Sequence, residues 1–286
     1  MSHTKHSGSR FTALHCLTAI LLFSGSPVAK AQESDATDWN IQTGVGIVQA
    51  SDIWADTKNK VTPIPYFSIS KGNWHSNTEN LIGYWVQFTE LWSVSVGIGA
   101  RNDGYDDDYV QRTRGEAARV FDGYVEPGTE AVVNYGISYG WLSLDASTDV
   151  SNKSDSHSAS LAVEIPIYEM DNGLSISTTA SVDWYDSNYV NHYYGVAGEQ
   201  VDDVVGRVAY RSSAATNYGL SVNAVYPIGE SWFVMGVVSR TKLDDNIVNS
   251  PLVDTDHQNL GSPDGCISIL GSYFSCVVIF RERYSL

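Results

Sequence analysis

Cysteine is scarce in this chain, with three in 286 residues. Cys266 and Cys276 are ten residues apart, about 33 Å on an extended strand, so they bridge only if the chain reverses between them. That leaves no basis for a disulfide framework or a cysteine metal site. Basic residues are few as well: 17 Lys+Arg stand against 33 Asp+Glu, a net charge of −16, which argues against nucleic acid as a partner. After the N-terminal region no run of about 18 apolar residues occurs, so a membrane would not be crossed by helices. Internal repeats, heptads and linkers are missing too, which points to one folded domain.

The N-terminus has the order of a secretory signal. Lys5 and Arg10 precede an uncharged, mostly apolar run from Phe11 to Phe23, followed by Ser24-Gly25-Ser26-Pro27 and the small-x-small triplet Ala29-Lys30-Ala31. Cleavage after Ala31 is expected, giving a signal peptide of residues 1–31 and a mature chain from Gln32 with 14 Lys+Arg against 33 Asp+Glu, a net charge of −19. Cys16 sits inside the apolar run behind His15 rather than at its end, so it is not read as a lipid-attachment site.

Period-two alternation dominates the mature chain. Trp92, Val94, Val96 and Ile98 oppose Ser93, Ser95, Gly97 and Gly99, and Leu174, Ile176, Ala180, Val182 and Trp184 oppose Ser175, Ser177, Thr179, Ser181 and Asp183. The polar face is small and poor in lysine, unlike the water-facing side of a soluble sandwich, which is the alternative fold. It suits the lumen of an antiparallel transmembrane β-barrel, with the apolar face toward lipid and Trp and Tyr near strand ends. The twelve expected strands are 39–48, 61–70, 73–78, 81–88, 91–100, 129–139, 141–150, 158–168, 174–186, 206–226, 231–243 and about 265–274. Pro63, Pro65 and Pro166 weaken individual strands and leave ten as an alternative. Short turns and long connections take turns along the chain, which places the short turns in the periplasm and the long connections outside. The barrel would span 32–274, with 275–286 as a C-terminal tail or an alternative closing strand.

Chemistry is thinly signalled. Asp256-His257 is a candidate water-activating pair, but adjacency alone does not build a site. His75 and His192 have serines nearby without triad spacing. The loop Asn102–Asp108 is acidic, yet it fails calcium-loop spacing and is flanked by Arg101, Arg112, Arg114 and Arg119, which points to internal ion pairs. No catalytic, cofactor or metal residue is assigned, and the chain is read as a non-enzyme. Asp145, Asp149, Glu164, Asp183, Arg207, Arg211 and Arg240 are expected as lumen charges, able either to select ions or to pair and plug the lumen.

Several segments in order resemble the MipA/OmpV family (MltA-interacting protein) of outer-membrane proteins. They are Pro63-Ile64-Pro65-Tyr66, Gly97-Ile98-Gly99, Tyr193-Tyr194-Gly195-Val196, Gly219-Leu220 with Tyr226-Pro227-Ile228, and Leu243-Asp244-Asp245 leading to Asn249-Ser250-Pro251-Leu252-Val253. The resemblance implies a signal-bearing outer-membrane barrel among lipid and lipopolysaccharide. It further implies a scaffold joining a lytic transglycosylase to a peptidoglycan synthase; a small-solute channel or a surface adhesin are the alternatives. The signature stretch 243–253 is expected on an outer loop folded inward toward Arg240 or Arg211.

Overall fold

A computed structural model describes residues 39–51, 53–55, 60–105, 119–228, 232–260 and 278–283. The expected signal peptide and strand 265–274 lie outside these residues. The chain forms β1 (Trp39–Ala50), β2 (Lys60–Lys71), β3 (Trp74–Asn77), β4 (Ile82–Gln87), β5 (Trp92–Arg101), β6 (Glu130–Tyr139) and β7 (Leu142–Asp149). After these come β8 (His157–Glu169), β9 (Ser175–Tyr185), β10 (Ala215–Ile228), β11 (Trp232–Lys242), β12 (His257–Leu260) and β13 (Val278–Arg283). All pairings are antiparallel, and each strand from β1 to β10 pairs with its successor.

The pairings return to their start. β12 and β13 each pair with both β11 and β1, β12 at one end of those strands and β13 at the other. They therefore share one position in the order, and the thirteen strands occupy twelve positions. Leu260 faces Ser239 and Val278 faces Met235, so four steps along β11 correspond to eighteen along the chain that closes the order.

Alternation decides the two faces as the sequence predicts. Outward positions carry exposed apolar groups: Val96, Ile98, Tyr135, Ile137, Leu142, Leu144, Leu161, Val182, Leu220, Val222 and Val238. Inward positions carry Ser, Thr, Asn, Gly and carboxylates, as in the hydrogen bonds from Ser160 Oγ to Asp183 and from Ser177 Oγ to Glu164. Pro166 sits at a register shift in the β8–β9 ladder, where its missing N–H is tolerated, so the prolines do not reduce the strand number. Gly97 and Gly99 face inward under the β3–β4 connection. A Cβ on Gly97 would meet the Asn80 side chain, and one on Gly99 the Glu79 carbonyl, so only glycine lets this connection lie against β5.

One expected strand is shorter than its pattern. Residues 206–214 are not part of β10, although Val208 and Tyr210 keep the alternation. Tyr210 bridges back to Val196, and Arg207 to Asp202, which holds this segment in the β9–β10 connection.

Candidate functional site

The apolar core lies in the long connections, at one end of the ring of strands. Trp54 of the β1–β2 connection stacks on Tyr194 of the β9–β10 connection at 5.4 Å and meets Tyr105 and Phe121 of the β5–β6 connection edge-on at 6.2 and 6.3 Å. Ile247, Leu252 and Val253 of the β11–β12 connection complete the cluster. Four connections rooted in different parts of the ring thus meet over one mouth. Backbone hydrogen bonds fix the meeting: Ala55 N donates to Leu252 O at 2.9 Å, and Asp254 N donates to Ile53 O at 3.2 Å.

Helix α1 (Ser187–Tyr193) anchors this cap to the strand wall. Asp186 caps its N-terminus by accepting from Tyr189 N, and Asn191 fastens its far end to Ser212 in both directions. Beneath α1, Arg101 at the end of β5 faces Glu130 at the start of β6, and both are buried. Arg101 Nε and Nη2 donate to Glu130 Oε2 at 3.1 and 2.8 Å, Nη2 also reaches Ser156 Oγ, and Tyr193 Oη donates to the same Oε2 at 2.8 Å. His192 Nε2 stands 3.5 Å from the other oxygen, Oε1. Tyr189 Oη donates to Asp103 at 2.7 Å while the Arg101 guanidinium lies 5.1 Å over the Tyr189 ring.

Burial sets the titration behaviour of the cap. It raises Tyr189 well above the ordinary phenol value, with Asp103 adding to the shift, and it raises Tyr193 in the same way. Tyr124 is pushed up to about 12 by burial, against the pull of Arg207. His192 is lowered, because burial outweighs the Glu130 carboxylate. All four therefore stay neutral at neutral pH, as a dry cap requires.

The signature stretch 243–253 belongs to this cap. Leu243, Ser250, Leu252 and Val253 are buried. Asp244 caps the short helix α2 (Asp245–Val248) through Asn246 N and also accepts from Thr216 N at 2.9 Å. Asp245 is exposed in the first turn and Pro251 half-buried. Ser250 Oγ donates to Tyr194 O at 2.7 Å, so two segments that carry the family resemblance touch one another. The stretch was expected to fold inward to Arg240 or Arg211; it packs within the cap, and its bonds go to Tyr194, Tyr210, Ser212, Ala214 and Asn217.

Of the seven expected lumen charges, four face inward. Asp145, Asp149, Glu164 and Asp183 share the inner face of β7, β8 and β9. Asp149 accepts from the backbone N–H groups of Ser151, Lys153, Ser154 and Asp155, and so fixes the β7–β8 connection. The three arginines are placed elsewhere than expected. Arg207 is buried within the cap, donating to Gln200 O, Val120 O and Asp122 O. Arg211 lies exposed in the β9–β10 connection, because the strand begins only at Ala215. Arg240 pairs with Leu220 and shares the outward face with Val238.

The sequence reading named Arg101 as an ion-pairing flank of the acidic loop but missed its partner Glu130, which looks like an ordinary strand-end charge. A usable signal was the aromatic content of the connections, with Trp54, Tyr105, Phe121, Tyr124, Tyr189, Tyr193 and Tyr194 where solvent-facing polar loops were expected. Asp106–Asp108, Arg112 and Arg114 of the acidic loop lie outside the described residues. Asp256 and His257 form an exposed 2.6 Å pair, and that hydrogen bond lowers the Asp256 carboxyl. Among the described residues, no three His, Cys, Asp or Glu side chains stand as a metal-holding group.

Comparison with known proteins agrees with the sequence resemblance. The profile of the family described as MltA-interacting protein MipA matches residues 43–262. The outer membrane protein OmpV of Vibrio cholerae is 32% identical over 79 residues, 28% of this chain and 30% of that protein. The putative outer membrane protein YiaT of Escherichia coli is 30% identical over 117 residues, 41% of this chain and 46% of that protein. The aligned part thus spans less than half the length of these relatives. A solved porin aligns over 86% of this chain and 100% of its own, with 8% identity and a TM-score of 0.32. With a family match over residues 43–262 and outer-membrane proteins as relatives, this chain is a member of the MipA family and a protein of the outer membrane.

Proposed function

We propose that the ring of strands is a closed transmembrane barrel of twelve positions, sealed at its outer mouth. It serves without enzymatic activity as a scaffold that links murein-processing enzymes beneath the outer membrane. A cleaved signal peptide delivers it, the short turns face the periplasm, and the long connections face out. The exposed apolar outward face supports a lipid environment, and Trp39, Trp74, Trp92, Trp141 and Trp232, exposed near the short-turn end, suit a headgroup-level girdle there. The observation that carries the sealed reading is the aromatic cap: connections from β1–β2, β5–β6, β9–β10 and β11–β12 pack one core across the mouth.

A sealed barrel has its periplasmic turns left for function. The family description names an interaction with MltA, and that supports a lytic transglycosylase as the first partner; a peptidoglycan synthase as the second rests on the sequence resemblance alone. The full chain, tagged and captured from solubilised envelopes, is expected to bring down a lytic transglycosylase. Substitutions in the Gly140-Trp141 turn or at Asp171 and Asn172 are expected to weaken the capture while the barrel still folds. Capture of no murein enzyme, together with steady solute flux, would replace the scaffold by the channel, whose wall would be the inward Asn134, Asp145, Glu164 and Asp183.

A further inference from the structure

The chain carries 33 acidic and 17 basic residues, yet its outward face inverts that balance. From the register of β1 to β12, the outward positions that hold a charged residue are Lys71, Arg240 and Lys242. The carboxylates of the strands, Glu130, Asp145, Asp149, Glu164, Glu169 and Asp183, all fall on the inward parity. Lys71 lies at the short-turn end, with Nζ 5.1 Å from the Trp39 ring centroid. Arg240 and Lys242 lie at the opposite end, under the capped mouth.

Depth places this second pair. Arg240 follows Trp232 by eight residues and Lys242 by ten, about 26 and 33 Å along the strand. At the usual barrel tilt these are about 20 and 25 Å along the membrane normal, and the apolar band of such barrels is about 25 Å tall. The two cations therefore emerge where hydrocarbon gives way to headgroups. Their neighbours on the outward face are Tyr218 and Leu220, both exposed, and His257 and Asn259 across the ladder to β12. A guanidinium and an ammonium on adjacent outward rungs, above exposed apolar groups, suit a ligand with acyl chains below and phosphate above.

We propose that Arg240 and Lys242, with the His257–Asn259 edge of β12, form a docking site for the phosphate groups of an outer-leaflet glycolipid. The site rests on the barrel orientation proposed above. Asp256 is the nearby carboxylate that opposes it: its field reaches Arg240, and His257 Nδ1 holds it at 2.6 Å. Removing that charge strengthens the site, and removing the cations weakens it.

The test uses the full chain in lipid nanodiscs, with binding of bis-phosphorylated lipid A, its dephosphorylated form and phosphatidylglycerol read by native mass spectrometry. The wild type is expected to prefer bis-phosphorylated lipid A over both others. Arg240→Gln and Lys242→Gln are each expected to cut that preference about fivefold, from about 1 kcal/mol per interfacial cation. Asp256→Asn is expected to raise it, and Lys71→Gln at the far end to leave it unchanged. A double Arg240→Gln, Lys242→Gln protein that keeps the wild-type preference overturns the site, as does equal binding of phosphatidylglycerol. Heat-modifiable electrophoretic mobility reports the barrel separately: its loss in the wild type contradicts the barrel, whereas a folded barrel indifferent to these substitutions contradicts the site alone.

Discussion

Glu130 is a single carboxylate on which two strands and a helix depend. Its Oε2 accepts from Arg101 and Tyr193, and its side chain is fully shielded from solvent. Glu130→Ala leaves the Arg101 guanidinium buried without its partner, and the usual cost of breaking such a pair is about 3–5 kcal/mol. A denaturant midpoint measured on Trp fluorescence is expected to fall accordingly. Tyr193→Phe removes one hydroxyl bond and is expected to cost about 1 kcal/mol in the same measurement. Glu130 does not stand out in the sequence, because a buried ion pair at strand ends leaves no periodic trace.

His192 adds a pH dependence to this cluster. The groups facing it are Glu130, Arg101, Asp149 and Lys153, and burial lowers it from the ordinary histidine value of 6.5. The capped state therefore binds the proton less readily than an opened state would. Its contribution to cap stability is full above pH 6.5 and is lost as pH falls through the lowered value. The protection factor of residues 187–193, the amide exchange rate corrected for the intrinsic pH dependence of exchange, is expected to fall as pH drops from about 7.5 to about 5, and His192→Gln is expected to flatten that dependence. A protection factor that rises on acidification would mean that the Glu130 attraction outweighs burial.

At the scale of elements, the strands were legible and the connections were not. Alternation fixed both faces of β5 to β9 because one face meets an apolar surrounding and the other a polar interior, the condition under which period two is written into a sequence. The same rule failed at 206–214, where Val208 and Tyr210 alternate but Arg207 and Tyr210 are drawn into the cap by Asp202, Val196 and Asn246. It failed again at Arg240, whose charge suggests the polar interior although its parity is that of Val238. The outward face tolerates a guanidinium there because the position lies near the strand's end, where a long side chain can reach polar surroundings. The cap itself was invisible to periodicity: its core comes from four short irregular segments far apart in sequence. The stretch 243–253 was legible as a family-signature loop, but not as buried apolar groups around a helix-capping aspartate. Leu252→Ala is expected to cost about 2–5 kcal/mol of cap stability, in the manner of buried large-to-small changes. Limited proteolysis is expected to cut the 186–214 and 243–256 connections of that variant while the strands stay resistant. Cleavage of the strands at the same rate would show that cap and wall unfold as one unit.

For the whole molecule, the apolar residues divide between two solvents. Those of the strands face outward, toward lipid on the barrel reading, and those of the connections form the dry core. Polar side chains line the inner wall between them, so the strands supply span and the connections supply closure. A barrel built this way is expected to hold its mouth shut in the resting state. Planar-bilayer conductance of the purified full chain tests that most directly. The wild type is expected to be electrically silent, and Trp54→Ala with Tyr194→Ala, which removes the stacked pair at the centre of the cap, is expected to open steady conductance. Steady unitary openings of the wild-type protein would contradict the account.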